Sequence, residues 1–360
     1  MRKGVIDWRQ GVRCQSGEEP VSASTLDAYL NSQSPDLGPV VETVRSLAGA
    51  AAATRALIAQ SSASVLSSAA GSLNADGDFQ RFLDVSADEA FLAAARRAGV
   101  RHYCSEEIDS AVDLNGTSAI ALAVDPLDGS SNIDTNVSIG TIFSILPALA
   151  GEPAGSFLQF GRRQLGAGFF IYGPQLALAL TLGGGTRIFV HSPRLGTFVE
   201  SVRPSIAEKT DEFAINASNY RHWDDSVRLY VDDCLKGTTG PREKDFNMRW
   251  IASLVADAYR ILIRGGVFLY PGDSRRGYAN GRLRLVYEAN PIAMIIEQAG
   301  GSATDGTTAI LDLVPTSLHQ RTPLVFGAAR EVARIARYHA EPSVIAGRSP
   351  LFGHRGLFRA

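Results

Sequence analysis

The segment Asp125-Pro126-Leu127-Asp128-Gly129-Ser130-Ser131-Asn132 directly follows an apolar run, Ala119–Val124. Two carboxylates three residues apart at the end of a strand can converge on one hard cation, because carboxylate oxygens are what magnesium-class ions prefer. Gly129 lets the backbone come close to an anion, and a helix starting at Ser130 would turn its free N–H groups toward that anion. One short loop thus has the chemistry to hold a metal and a phosphate together. The same residue types also make ordinary turns, and on this segment alone a turn is as good a reading as a site. Two further places end expected strands in acids: Glu106-Glu107 after Val100–Cys104, and Glu288 after Leu283–Tyr287. Strand ends of an α/β sheet gather at one edge, where ligands bind. Carboxylates crowded there repel one another unless cations neutralise them. A pair of divalent ions about 3.5–4 Å apart would do so, and would serve phosphoryl transfer to water.

Positioning such residues requires a layered chain, and the patterning predicts one. Residues 1–35 read as poorly structured, followed by a long helix over Val40–Ser61 without an internal proline. Gly71–Gly77 reads as a polar loop. A second helix is expected from Ser86, whose spacing to Glu89 is that of a capping box, to Gly99, with Phe91, Leu92 and Ala95 turned inward. Strands are expected at Val100–Cys104, Ala119–Val124, Ser138–Leu146 and Arg187–His191, with a hairpin of Phe169–Tyr172 and Leu176–Leu182 around Gly173-Pro174. The polar stretch Glu200–Glu212 marks a boundary between an N-terminal subdomain, 36–205, and a C-terminal one, 206–335, with a tail over 336–360. Beyond the boundary come a strand at Phe213–Ala217, a helix over Asn247–Leu262, and strands at Val267–Tyr270 and Leu283–Tyr287. A last helix is capped by Asn290, has Pro291 at its first position and ends at Gly300-Gly301. Strands and helices alternate without an internal repeat, which is the pattern of an α/β fold.

Composition excludes several classes. Of 360 residues, 35 are Lys or Arg and 37 Asp or Glu, and a net charge of -2 leaves no basic footprint for nucleic acid. Cys14, Cys104 and Cys234 are far apart and form no CxxC pair, which argues against a disulfide scaffold or a zinc knuckle. Met1–Cys14 is polar and charged, and the apolar stretch Leu47–Leu66 is interrupted by Arg55 and Gln60. Neither a secretory leader nor a membrane span is expected, so the chain reads as cytoplasmic. His102, His222 and His319 have no ligand spacing.

The run DPLDGSSNIDTNVSIGTIFSI, Asp125 to Ile145, resembles the signature of class I fructose-1,6-bisphosphatases. So do Ser105-Glu106-Glu107, Ser253–Asp257, Gly266–Pro271, Leu283–Pro291 and Gly300-Gly301, in the family's order, over roughly residues 40–330. The resemblance implies a layered α-β-α-β-α sugar-phosphatase fold and magnesium-assisted hydrolysis of the 1-phosphate of fructose 1,6-bisphosphate. It implies two or three Mg2+ per subunit, with Mn2+ able to substitute, and a homotetramer. Glu106, Asp125, Asp128 and Glu288 would bind metal by side chain and Leu127 by its carbonyl. Glu107, paired with Asp84, would activate water, and Asp78 would join the cluster. Gly129, Ser130 and Ser131 would hold the leaving phosphate. Asn216, Tyr220, Tyr270 and Arg282 would meet the 6-phosphate end of the substrate, with Arg249 supplied by a neighbouring subunit. Two rivals stay open: another phosphatase of the inositol-phosphatase-like superfamily, and a non-catalytic metabolite-binding regulator.

Departures from the family pattern bear on specificity. Trp250 replaces a tyrosine, Arg282 replaces a lysine, and one extra residue separates Asn216 from Tyr220 relative to animal members. These point to sedoheptulose 1,7-bisphosphate as a second substrate. The residues of the animal AMP site are also missing: Ala119-Ile120 stands where that site has Lys-Tyr, and Ser34-Pro35-Asp36-Leu37-Gly38 where it has a Gly-Thr-Gly-Glu turn. An AMP titration is therefore expected to leave activity unchanged at micromolar levels, and cooperative inhibition there would overturn this.

Overall fold

A computed structural model of the chain describes residues 24–68 and 75–340, the side chains of 61–81 excepted. Strand β1 (His102–Ser105) has the two-residue β2 (Val112–Asp113) on one side and the fully buried β3 (Ile120–Asp128) on the other. An antiparallel meander follows through β4 (Ile139–Pro147), β5 (Gly166–Tyr172), β6 (Leu176–Thr181), β7 (Thr186–Ser192) and β8 (Thr197–Val202), giving an eight-stranded sheet. The second sheet comprises β9 (Glu212–Ala214), β10 (Asn247–Met248), β11 (Val267–Tyr270), β13 (Ser302–Thr304) and β15 (Leu324–Gly327). A small pair, β12 (Leu283–Arg284) with β14 (Arg321–Thr322), stands apart.

Period-two alternation decides which helices cover which face. Phe143, Phe170, Leu178 and Leu180 of the large sheet pack against Val44, Leu47 and Phe91 of α2 (Gly38–Ser68) and α3 (Ala75–Arg97), with α1 (Leu26–Asn31) at one edge. The alternate residues Ile142, Phe169, Ile171, Ala177 and Ala179 face the middle of the molecule. They meet α5 (Leu254–Arg264), α6 (Asn290–Gln298) and the inner residues Phe268 and Phe326 of the second sheet. The outer residues of that sheet, Phe213, Val267, Leu269 and Val325, are covered by α4 (Asp225–Leu235) and α7 (Ala329–Ala340). The result is an α-β-α-β-α stack, each interface held by side chains whose burial is worth about 1.5–3 kcal/mol apiece. Among the described residues, no helix is long and apolar enough to cross a membrane.

Several local expectations are corrected. The helix expected from Ser86 begins at Ala75, because Leu83, Ala87 and Phe91, four apart, carry its buried stripe through the supposed capping box. Of the loop expected over Gly71–Gly77, residues 71–74 lie outside the described residues and 75–77 are helical. The helix expected over Asn247–Leu262 starts only at Leu254: Ser253 caps it, its Oγ accepting from Ala256 N at 3.4 Å, and Ala252 at φ +65° breaks any helix before it. Leu283–Tyr287 is a strand for two residues only. It then winds into a π-helical turn, Leu285–Ala289, that runs into α6. A short run buried on every side has no periodicity to separate strand from helix. Residues 24–35, expected to lack structure, hold α1, whose N-terminus Thr25 caps by accepting from Ala28 N at 3.1 Å. At the other end α7 runs past the expected tail boundary to Ala340. Residues 1–23 and 341–360 lie outside the described residues.

Gly140 shows how closely the central interface is set. A Cβ there would lie 2.3 Å from the Phe170 carbonyl oxygen and 2.7 and 2.8 Å from the Val255 methyls. Gly140→Ala is expected to destabilise the fold by about 2–3 kcal/mol, read from the urea midpoint. An unchanged midpoint would mean that β4 and α5 can separate at little cost.

Candidate active site

Between two pairing points β3 carries one residue more than β4: Asp125 pairs with Ile142 and Asp128 with Gly140. In a regular strand, residues three apart point to opposite faces. The bulge restores Asp125 and Asp128 to one face. That face is the inner one, since Ile142 packs in the middle layer and Gly140 abuts Val255 of α5. Val124 and Leu127 point the other way, into the α2–α3 layer, so Leu127 offers the inner face only its backbone. Pro126 has no N–H for a ladder, and its carbonyl accepts from Thr141 Oγ1 at 2.8 Å.

The π-turn brings Glu288 to the same place. One carboxylate oxygen from each of Asp125, Asp128 and Glu288 lies within 4.8 Å of the others. All three residues are buried, and a backbone N–H fixes an oxygen of each. Leu127 N donates to Asp125 at 3.1 Å, Val255 N to Asp128 at 3.2 Å, and Arg284 N to Glu288 at 2.6 Å. Val255 lies in the first turn of α5, so the positive end of that helix faces Asp128. Burial, then the charges of Glu106 and Asp128, holds the Asp125 pKa well above the ordinary carboxylate range. Burial does the same to Glu288, reinforced by Glu106 and Asp128. Asp128 is pushed up to about 7 by burial, against the opposing Val255 N–H. An all-oxygen set of buried acids, each already oriented by the backbone, fits a hard divalent cation, which would let them remain ionised at neutral pH.

Around this core stand the other acids. Glu106 leaves β1 with its N–H on the Val124 carbonyl at 3.0 Å, and its carboxylate forms an ion pair with Arg284. Glu107 is exposed at the rim, and partial desolvation, then the charges of Asp84 and Glu106, raises its pKa. Asp84, on α3, is half-buried and hydrogen-bonded to Ser130; desolvation raises its pKa too, and its Oδ1 has no partner among the described residues. The helix expected at Ser130 is a single three-residue turn, Ser130–Asn132, entered through Gly129 at φ +77°. Asn132 Nδ2 donates to the Ala252 carbonyl at 2.8 Å, tying this turn to the segment before α5.

These groups open into one cleft of about 450 Å3. It takes in Glu106, Glu107, Asp125, Leu127, Asp128, Gly129, Ser130, Ser131, Glu288, Asn216, Tyr270 and Arg282. An aromatic wall completes it: Trp250 stacks on Phe268 at 5.6 Å and 15°, and Tyr270 stands 6.0 Å from Trp250. The Arg282 guanidinium lies 4.8 Å from the Tyr278 ring centre. Among the candidates with described side chains, three do not line it: Asp84, Tyr220 and Arg249. The Tyr220 hydroxyl donates to the Asp232 carboxylate at 3.0 Å and its ring meets Trp223. Arg249 lies beside Glu212 at 3.6 Å with its side chain half-exposed. Asp78 is on α3, but its side chain lies outside the described ones. Sequence reading missed Arg284 as a member of the site. The signal for it was a lone cation inside the apolar run Leu283–Tyr287.

Comparison with known proteins gives one answer. The family model "Fructose-1-6-bisphosphatase, N-terminal domain" matches residues 32–203, and "Fructose-1-6-bisphosphatase, C-terminal domain" matches 206–340. A "Fructose-1,6-bisphosphatase class 1" of Rhizobium meliloti is 59% identical over 349 residues, 94% of this chain and 100% of that protein. One from Methylorubrum extorquens is 50% identical over 342 residues, 94% of this chain and 98% of its own. The Leishmania major fructose-1,6-bisphosphatase, solved in holo form, has a TM-score of 0.79 at 31% identity, covering 89% of this chain and 99% of that one.

The raised carboxyl pKa values set a pH dependence of stability. In metal-free protein, the native cluster keeps protons that the unfolded chain releases at about pH 4. Their contribution to stability is therefore fullest below that pH and is lost as pH rises toward about 7, where Asp128 ionises. A divalent cation should abolish the loss. Melting temperatures from about pH 5 to 8, in chelator and in magnesium, are expected to diverge as pH rises, and a constant gap would contradict this.

Proposed function

The chain belongs to the fructose-1,6-bisphosphatase family, and on that premise we propose that it is a phosphoric monoester hydrolase converting fructose 1,6-bisphosphate and water to fructose 6-phosphate and phosphate. The observation that carries this is the buried Asp125–Asp128–Glu288 cluster in the same cleft as the Gly129–Ser131 turn and Glu107.

Glu106, Asp125, Asp128 and Glu288 would hold two or three magnesium ions by side chain, and Leu127 one by its carbonyl, with manganese as a substitute. When bound, such ions supply Lewis-acid polarisation of the phosphoryl oxygens and charge neutralisation. Glu107 takes the proton of the attacking water, supported by Asp84, and the desolvation that raises the pKa of both makes them stronger bases. Asp78 joins this group. Ser130 and Ser131 bind the 1-phosphate, and the left-handed backbone at Gly129 lets main-chain N–H groups approach it. Arg284, paired with Glu106, adds a fixed cation beside the reacting group.

Asn216, Tyr270 and Arg282 bind the sugar and its 6-phosphate, and Arg249 acts on a neighbouring subunit's site in a homotetramer. Tyr220 joins them, its hydroxyl exchanging Asp232 for the 6-phosphate. On this reading residues 36–205 carry the metal chemistry and 206–335 the sugar pocket, in a cytoplasmic enzyme. The flat Trp250–Phe268 wall supports sedoheptulose 1,7-bisphosphate as a second substrate, since it offers apolar area without a fixed hydroxyl partner.

Phosphate release from both sugars, with and without magnesium, tests the proposal. Wild type is expected to be magnesium-dependent, and Asp128→Ala to lose at least about 100-fold while remaining folded. Absence of release from either sugar by folded wild type would refute the assignment.

A further inference from the structure

His319 belongs to no motif, yet it braces two parts of the candidate site. Its ring lies 5.4 Å from that of Tyr287, the residue before Glu288. Its Nε2 is 3.0 Å from the carbonyl oxygen of Ile108, the residue after Glu106-Glu107. A carbonyl can only accept, so Nε2 carries the proton and donates.

The turn that His319 reaches has few other backbone ties, although the Glu106 carboxylate pairs with Arg284 and Ile108 packs against the core. It leaves the sheet once Glu106 N has bonded the Val124 carbonyl, and the bonds beyond are local: Glu107 N to Ser105 Oγ at 3.2 Å and Ile108 N to Ser105 O at 3.4 Å. The other end of the brace is firm. Leu285 N donates to the carbonyl of Gln320, next to His319, at 2.8 Å, and the Tyr287 hydroxyl is 2.8 Å from Cys104 Sγ on β1. His319 is thus anchored to the π-turn that presents Glu288 and reaches across to the turn that presents Glu106 and Glu107.

We propose that His319 is a positioning residue whose Nε2–H bond to the Ile108 carbonyl sets the Glu106–Glu107 turn in register with Glu288. Glu106 thereby joins the buried carboxylates at one cation site, and Glu107 keeps its place beside Asp84. This rests on the reading of those acids as metal-holding and water-activating groups.

The test separates the hydrogen bond from ring packing. H319F keeps an aromatic ring against Tyr287 and removes the donor, whereas H319Q keeps an N–H donor and removes the ring. The full chain is titrated with Mn2+ in a calorimeter without substrate, and kcat and KM for magnesium-activated hydrolysis are measured beside melting temperature. H319F is expected to bind Mn2+ about 10-fold more weakly and to lose about 10-fold in kcat, with KM and melting temperature little changed. H319Q is expected to recover both to within about threefold, sizes typical of groups that orient metal ligands. H319F equal to wild type overturns the proposal, as does an equal defect in two folded variants, which would assign the effect to the ring. Should H319F not fold, H319Q decides alone: near-wild-type Mn2+ affinity supports the hydrogen bond, and about a 10-fold loss in folded protein overturns it. Wild type that neither binds Mn2+ nor releases phosphate sinks the functional reading itself, whereas a working wild type with an indifferent H319F sinks only the role of His319.

Discussion

Burying several carboxylates together is the constraint on which the rest of this structure depends. Taking one ionised acid out of water is costly, and placing more beside it adds repulsion that low-dielectric surroundings do not screen. Here burial is the largest influence on Asp125, Asp128 and Glu288, with neighbouring acid charges adding to it. The fold answers locally. A backbone N–H is directed at each acid, the opening turn of α5 points at Asp128, and Arg284 is folded against Glu106. What these do not neutralise is an excess of negative charge, which a hard cation could offset.

The parts come from distant stretches of chain and meet at the central interface. β3 supplies Asp125 and Asp128, the π-turn supplies Glu288, and the segment before α5 supplies Trp250. That segment is under strain: Ala252 sits at φ +65°, where a residue with a Cβ carries a penalty of about 1–2 kcal/mol. It is held there by Asn132 on its carbonyl and by the buried carboxylate of Asp257, which accepts from Ile251 N at 3.2 Å. Backbone strain of this kind persists where surrounding contacts over-determine the conformation.

Much of this was legible in the sequence. The apolar runs Phe169–Tyr172 and Leu176–Leu182 read as the strands of a hairpin, and strands apolar on both faces need helices or a second sheet on both sides. The acids of the 125–128 loop, Glu106-Glu107 and Glu288 stood out because each follows an apolar run. Glu288 does stand beside Asp125 and Asp128, but the run before it is mostly a π-turn rather than a strand. What sequence could not give was anything decided by a partner far along the chain. The start of α3 is set by packing of Leu83 and Ala87 rather than by Ser86. The Tyr220 hydroxyl meets Asp232, 12 residues further on, and the partner of His319 lies 211 residues earlier. Spacing shows which residues could share a face of one element, but not which element will stand opposite.

The bulge in β3 has an evolutionary consequence. The bulge absorbs one surplus residue, so a chain one residue shorter between Asp125 and Asp128 would hold the two acids two apart, on one face of a regular strand and still opposite Ile142 and Gly140. What it would lose is the extra length of backbone that brings Leu127 to the cleft. Descendants of this chain can therefore shorten the loop without scattering its acids, and what such a change retunes is the main chain beside them.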